Sequence, residues 1–207
     1  GRANSVARVP VGVVAVITPW NFPFILGVRA VAPALALGNT VVLKPSSDTP
    51  LAGGQLVLEV FAAAGVPEDV LSVVPGPGGT LGRLLATHPM ADMVHFTGSS
   101  EVGHELATLA APSFKRMSFE LGGNNGYIVL GDADPEIASA AGAWSAFYHA
   151  GQMCVGAGRH IVVRSVADQY LSRLAARAKG LRVGDPRDPS VDVGPIVSER
   201  QWSRIMD

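Results

Sequence analysis

Cysteine is almost absent from the chain: one residue, Cys154, in 207. A single thiol excludes an internal disulfide framework and a cysteine-rich zinc site, and it fits a reducing, cytoplasmic setting. Histidine is scarce as well. The five, at positions 88, 95, 104, 149 and 160, show no H-x-x-x-H pair or other ligand spacing, so no metal site is expected. Charge is thin, 16% of residues with a formal net charge of -1. That gives no electrostatic case for a nucleic-acid partner or an anionic membrane. Long hydrophobic runs are missing. "VGVVAVITPW" and "VAPALALGNTVVL" are broken by Pro, Gly or Asn short of the ~18 residues a span needs, so they read as buried strands and helices. No signal peptide is visible. The chain starts without Met and stops inside the helical pattern "SERQWSRIMD", so the expectation is a piece of a longer protein.

Apolar residues, in contrast, are plentiful at 48%, enough for one or two globular domains with a sizeable core. Short β-branched runs alternate with longer helical patterns. Strands are expected at 11–17, 40–44, 71–74, 93–96 and 116–121, and helices at 24–37, 50–65, 80–88 and 100–111. Pro33 should kink the first helix. Strands this apolar, separated by helices, predict an α/β fold with a parallel sheet covered on both faces. After Gly122-Gly123 the pattern restarts: "GYIVL", a helix over about 134–149, the cysteine loop, strand "HIVVR" (160–164), then a helix over 167–180. That restart is the expected domain boundary, giving domains 1–121 and 122–207.

Cys154 sits in "HAGQMCVGAGRH" (149–160) without apolar periodicity. A free cysteine is often just a small buried hydrophobe. Flanking Gly151, Gly156 and Gly158 suit a thiol held on unusual backbone for attack instead. His149 close by suggests a Cys–His hydrolase, but nothing supplies the third group that orients such a base. In "ITPWNFP" (17–23), Trp20 and Asn21 fall at the carboxyl end of a parallel strand, where open α/β sheets bind ligands. The Asn21 amide could serve an oxyanion there, or simply bond its own turn. Lys44 closes "VVLK" beside the same expected cleft, either holding ribose or phosphate oxygens or ending a strand in solvent. "HFTGSSEVG" (95–103) runs from strand to helix, so Gly98 and Ser99 open a helix N-terminus suited to phosphate, though without G-x-G-x-x-G spacing. "GPGGTLG" (76–82) misses that spacing too and reads as a plain turn. Glu120, at the end of the apolar strand in "FELGG", is either structurally paired or a general base.

Taken in order, "TPWNFP", "LKPS", "FTGS" followed by "VG", "FELGG" and "GQMC" resemble the NAD(P)-dependent aldehyde dehydrogenase superfamily, from about Val9 to Val197. "LGGNNGYIVL" with "HAGQMC" is most similar to its aromatic-aldehyde branch. The resemblance implies a Rossmann-like cofactor domain followed by the first part of a catalytic domain. It implies Cys154 as nucleophile, Glu120 as general base, and Asn21 with the Cys154 backbone N–H as the oxyanion hole. It places Ile17, Thr18, Pro19, Trp20, Lys44, Ser46, Ser47, Gly98, Ser99 and Leu121 along NAD or NADP. The implied partner is a small-molecule aldehyde, with no nucleic acid or membrane, and the full-length protein is expected to be a homo-oligomer. Ser47 stands where many NAD-specific members carry Glu, which predicts tolerance of NADP. Asn124 stands where most relatives have Lys. A CoA-acylating relative and a non-catalytic nucleotide-binding unit are the competing expectations.

Overall fold

A computed structural model describes residues 3–206 of the chain, which divides into two compact units, Gly1–Gly122 and Gly123–Asp207. In the first, five short strands form one parallel sheet in the order β3-β2-β1-β4-β5. They are β1 (Val13–Ile17), β2 (Thr40–Lys44), β3 (Leu71–Val73), β4 (Met93–Thr97) and β5 (Arg116–Glu120). Helices α1 (Pro23–Ala36), α2 (Leu56–Ala63), α3 (Gly78–Thr87) and α4 (Ser100–Ala110) are the crossovers that parallel pairing demands. Both faces of the sheet are covered. Val14, Val16, Val41 and Leu43 pack with Val31 of α1 and Val57 of α2. Ala15, Ile17, Val94 and Phe96 face the other way, onto Ala86 of α3 and Leu106 of α4. This is the fold expected from the alternating pattern: apolar β-branched runs give strands buried on both sides.

Several local expectations need correction. Helix α1 begins at Pro23, one residue before the expected 24, where a missing N–H costs nothing, and it ends at Ala36 with Pro33 inside it. The helix expected over 50–65 opens as a π-helical turn, Leu51–Gln55, before α2. A Cβ on Gly54 would lie 2.9 Å from Pro45, closer than side chains permit, and one on Gly53 would press on Pro23 at 3.1 Å. "GPGGTLG" is not a plain turn: Pro77 caps a helix that already begins at Gly78.

In the second unit, β6 (Gly126–Val129) and β7 (Arg159–Val162) pair in parallel, linked by α5 (Pro135–Phe147). Asp134 caps α5, its carboxylate accepting from the Glu136 N–H at 2.7 Å. Helix α6 (Arg164–Gly180) follows β7, and α7 (Glu199–Met206) ends the described chain. The strand predicted to reach Arg164 stops at Val162, because Val163 turns to cap α6. Helix α5 stops short of the expected 149, since His149 and Ala150 take left-handed φ of 54° and 56°. Val129, Ala138 and the fully buried Tyr170 form this unit's core. Among the described residues no helix is long and apolar enough to cross a membrane.

Candidate active site

The sheet register aligns the carboxyl ends of its strands. Ile17 is opposite Lys44 on one side and Phe96 on the other, and Thr97 is opposite Glu120. Strand order reverses between β1 and β4, which opens a crevice outside their carboxyl ends. The first unit therefore gathers Ile17, Thr18, Pro19, Trp20, Asn21, Lys44, Ser46, Ser47, Gly98, Ser99, Glu120 and Leu121 along one edge. Cys154 belongs to the second unit.

Lys44 is not a solvated strand terminus. It is only 2% exposed, and its Nζ donates to the Pro45 carbonyl at 2.7 Å. Burial pushes its pKa below the ordinary value, while the Asp48 carboxylate opposes that shift. Thr18 is buried beside it, with its N–H bonded to the Lys44 carbonyl at 3.1 Å. Its Oγ1 finds no hydrogen-bond partner among the described residues. A buried ammonium and an unsatisfied buried hydroxyl at a switch-point crevice are groups that a polar ligand would complete. Ser46 Oγ accepts from the Asp48 N–H at 3.2 Å, and the exposed Ser47 donates to the Gly76 carbonyl at 2.9 Å.

Ser99 caps α4, its hydroxyl accepting from the Val102 N–H at 3.3 Å. Glu101 in that first turn already answers part of the helix dipole. Gly98 and Gly103 have packing reasons of their own. A Cβ at Gly98 would strike the Phe96 ring, and one at Gly103 would lie 2.7 Å from Leu121 Cδ2.

Glu120 is ion-paired, through a contact exposed enough to leave base work open. Arg29 Nη2 approaches its Oε1 at 3.3 Å, with the two side chains 64% and 46% exposed. Beside them His95 Nδ1 lies 3.1 Å from Ser118 Oγ, and its Nε2 lies 3.3 Å from Thr97 Oγ1. Alternation puts His95, Thr97, Ser118 and Glu120 on one face. Desolvation lowers the His95 pKa, Glu120 raises it and Arg29 lowers it.

In the second unit Cys154 is exposed, so the buried-hydrophobe reading fails. Three consecutive left-handed residues, His149, Ala150 and Gly151, lead into its loop. For the two non-glycines this costs of order 1–2 kcal/mol each. Gln152 ties the loop to the chain beyond it: its Oε1 accepts from the Val197 N–H at 3.0 Å, and its Nε2 donates to the His149 carbonyl at 3.1 Å. Asn125 Nδ2 donates to the carbonyls of Cys154 and Gly156 at 2.8 and 3.2 Å. Among the described residues none accepts from the Cys154 N–H. Gln152 and Asn125 were missed as holding residues. Their amides bond across the fold, and the sequence marked them only as members of "LGGNNGYIVL" and "GQMC". Near the end of α5, Trp144 and Tyr148 stack at 5.1 Å and 24°, 62% and 47% exposed. They line an open hollow of about 470 Å³ with Phe147, Leu181 and Val193.

A hollow of about 450 Å³ opens at the amino edge of the five-stranded sheet. Two of its charged groups are engaged: Asp92 accepts from the Val13 N–H at 2.8 Å and Lys115 donates to the His88 carbonyl at 2.7 Å. Among the described residues there is no cluster of three metal-ligating side chains.

Fold and site together define a parallel α/β protein with a switch-point crevice and an exposed thiol on a restrained loop. Residues 1–207 match the aldehyde dehydrogenase family, and the chain belongs to it. It is 50% identical over 205 residues to the benzaldehyde dehydrogenase [NAD(+)] of Pseudomonas putida, covering 99% of this chain and 42% of that protein. The crystal structure of an NAD-dependent benzaldehyde dehydrogenase from Corynebacterium glutamicum superposes with a TM-score of 0.90 at 44% identity, over 96% of this chain and 43% of that one. An NADP-dependent enzyme of E. coli gives a TM-score of 0.90 at 41% identity, over 95% and 41%. The chain thus spans about two fifths of the length of these relatives.

Proposed function

We propose that the whole protein oxidises an aldehyde, preferentially an aromatic one, to its carboxylic acid with NAD or NADP. Residues 1–121 then serve as the cofactor domain, and 122–207 as the first part of the catalytic domain. The observation that carries the reading is Cys154: an exposed thiol on a glycine-rich, left-handed loop, with its backbone N–H free to donate. Likeness to both an NAD- and an NADP-dependent relative supports either cofactor.

The thiolate of Cys154 adds to the aldehyde carbon, and the carbonyl oxygen becomes an alkoxide. The Cys154 N–H and the Asn21 amide donate to that oxygen and hold its charge. Bound NAD or NADP would accept the hydride that leaves this carbon, so that a thioester remains on Cys154. Glu120 then takes a proton from water, the hydroxide attacks the thioester, and the acid departs as the thiolate is restored. Lys44 and Thr18, with Ser46 and Ser99, would hold the cofactor at the crevice. The buried hydroxyl and ammonium found there fit its polar oxygens. The stacked, half-exposed Trp144 and Tyr148 support a flat apolar substrate.

The experiment is NAD(P)H production by the whole protein from aromatic and aliphatic aldehydes, with and without CoA. Cys154→Ser should abolish it while leaving cofactor binding nearly intact, because a thiolate both attacks well and leaves readily. A serine variant that keeps more than a few per cent of the turnover overturns the proposal. Strict dependence on CoA would redirect the final step to acyl transfer.

A further inference from the structure

The loop that carries Cys154 is held from beneath at three carbonyls by side chains with no chemistry of their own in the reaction. Asn125 grips the carbonyls of Cys154 and Gly156 through one amide nitrogen. His160 reaches the third, with its Nε2 3.2 Å from the Ala157 carbonyl. Its Nδ1 lies 2.6 Å from the hydroxyl of Tyr170. A carbonyl oxygen only accepts, so Nε2 carries the ring proton and Nδ1 accepts the hydrogen of the Tyr170 hydroxyl. Tyr170 is fully buried and packs over Gly142, where a Cβ would run into that hydroxyl. The His160 ring is thereby fixed from behind. Ala157 is also held through its N–H, which donates to the Ser145 carbonyl of α5 at 3.2 Å.

We propose that Asn125 and His160 are positioning residues for Cys154. This rests on the reading of Cys154 as the nucleophile. Each carbonyl they hold is the negative end of a dipole, kept from turning toward the sulfur or toward a developing oxyanion. With those carbonyls committed, the Cys154 N–H is left as a donor beside the thiol. A loop held at 154, 156 and 157 also spares the reaction the entropy of ordering it.

The test uses the whole protein and three substitutions. Asn125→Asp is isosteric and turns the donor into an acceptor. His160→Phe keeps a ring but loses both hydrogen bonds. His160→Gln keeps a donor for Ala157 and an acceptor for Tyr170. Four quantities are read: the rate of Cys154 alkylation by iodoacetamide, the first-turnover burst of NAD(P)H, the NAD(P) Kd, and Tm. Asn125→Asp and His160→Phe should each slow alkylation and burst about tenfold or more, with cofactor affinity within about twofold. His160→Gln should stay within about threefold of wild type, a rescue that follows the hydrogen bonds and not the ring. Should Asn125→Asp fail to fold, Asn125→Ser, too short to reach both carbonyls, takes its place with the same expectation. The proposal is overturned if the Asn125 variant alkylates and bursts at the wild-type rate, or if His160→Gln is as slow as His160→Phe. Wild-type protein that keeps its turnover after Cys154 is alkylated would instead sink the nucleophile reading, a result distinct from slowed alkylation.

Discussion

His95 shares a sheet face with Thr97, Ser118 and Glu120, and its ring is poised between two opposite charges. Burial holds its pKa below the ordinary value near 6.5; Glu120 pulls it up and Arg29 pushes it down. Arg29→Gln should therefore raise the His95 pKa, and Glu120→Gln should lower it further, both followed by NMR titration of the ring. Shifts of the opposite sign would refute the arrangement. A folded-state value below the unfolded one means that the unfolded chain binds the proton first. The His95 contribution to stability is thus complete above about pH 6.5 and is lost as pH falls toward the folded value. The Arg29–Glu120 pair itself is too exposed to add much, of order 0–1 kcal/mol. Ser47 carries a second prediction at this scale. A carboxylate at that position would repel a 2′-phosphate by ~1 kcal/mol or more at close range. With serine there, kcat/KM for NADP should come within about tenfold of that for NAD. Ser47→Glu should shift the ratio toward NAD, and it also forfeits the bond to the Gly76 carbonyl. A wild-type preference for NAD above about a hundredfold counts against this.

Among the elements, the β4–α4 turn shows packing and ligand chemistry competing for the same glycine. Gly98 opens the helix that Ser99 caps, yet the ring of Phe96 fills the space where a side chain would go. Phe96 is itself buried and meets Phe119 edge-on at 6.5 Å, so it has little room to yield. Gly98→Ala should cost about 1–3 kcal/mol by overpacking, measured by denaturant unfolding without cofactor. A loss seen only with NAD(P) present would return the residue to a purely ligand-contacting role. The loop before Cys154 shows the opposite case. Strained φ at His149 and Ala150 ends α5 early and turns the chain toward the thiol. Such strain persists only where surrounding bonds over-determine it. Gln152 and Asn125 supply those bonds.

On the scale of the whole molecule, protection should follow the sheet. Val14–Val16 in β1 and Val94 in β4 are central and buried on both faces. Native-state hydrogen exchange should be slowest there and faster along β6 and β7, whose Ile128 and Ile161 are exposed. Equal or faster exchange in β1 would mean that the five-stranded core is not the most stable part of the chain. Each unit has its own apolar cluster.

Local pattern determined a good deal of this. Periodicity of two against 3.6 is written in neighbouring residues, so every strand and helix was legible to within a few positions, and parallel pairing followed from strands apolar on both sides. The motif residues of the crevice were legible too, because the carboxyl ends of parallel strands fall on one edge. Tertiary structure alone decided the strand order and the bonds that cross it. Arg29 meets Glu120 from 91 residues away, and Asn125 meets Cys154 from 29. It also decided that Lys44 is buried, that "GPGGTLG" becomes helix, and that α5 stops at left-handed residues. No local periodicity records such contacts. They arise when separate elements compete for the same space and satisfy each other's polar groups, and that is settled only as the chain packs.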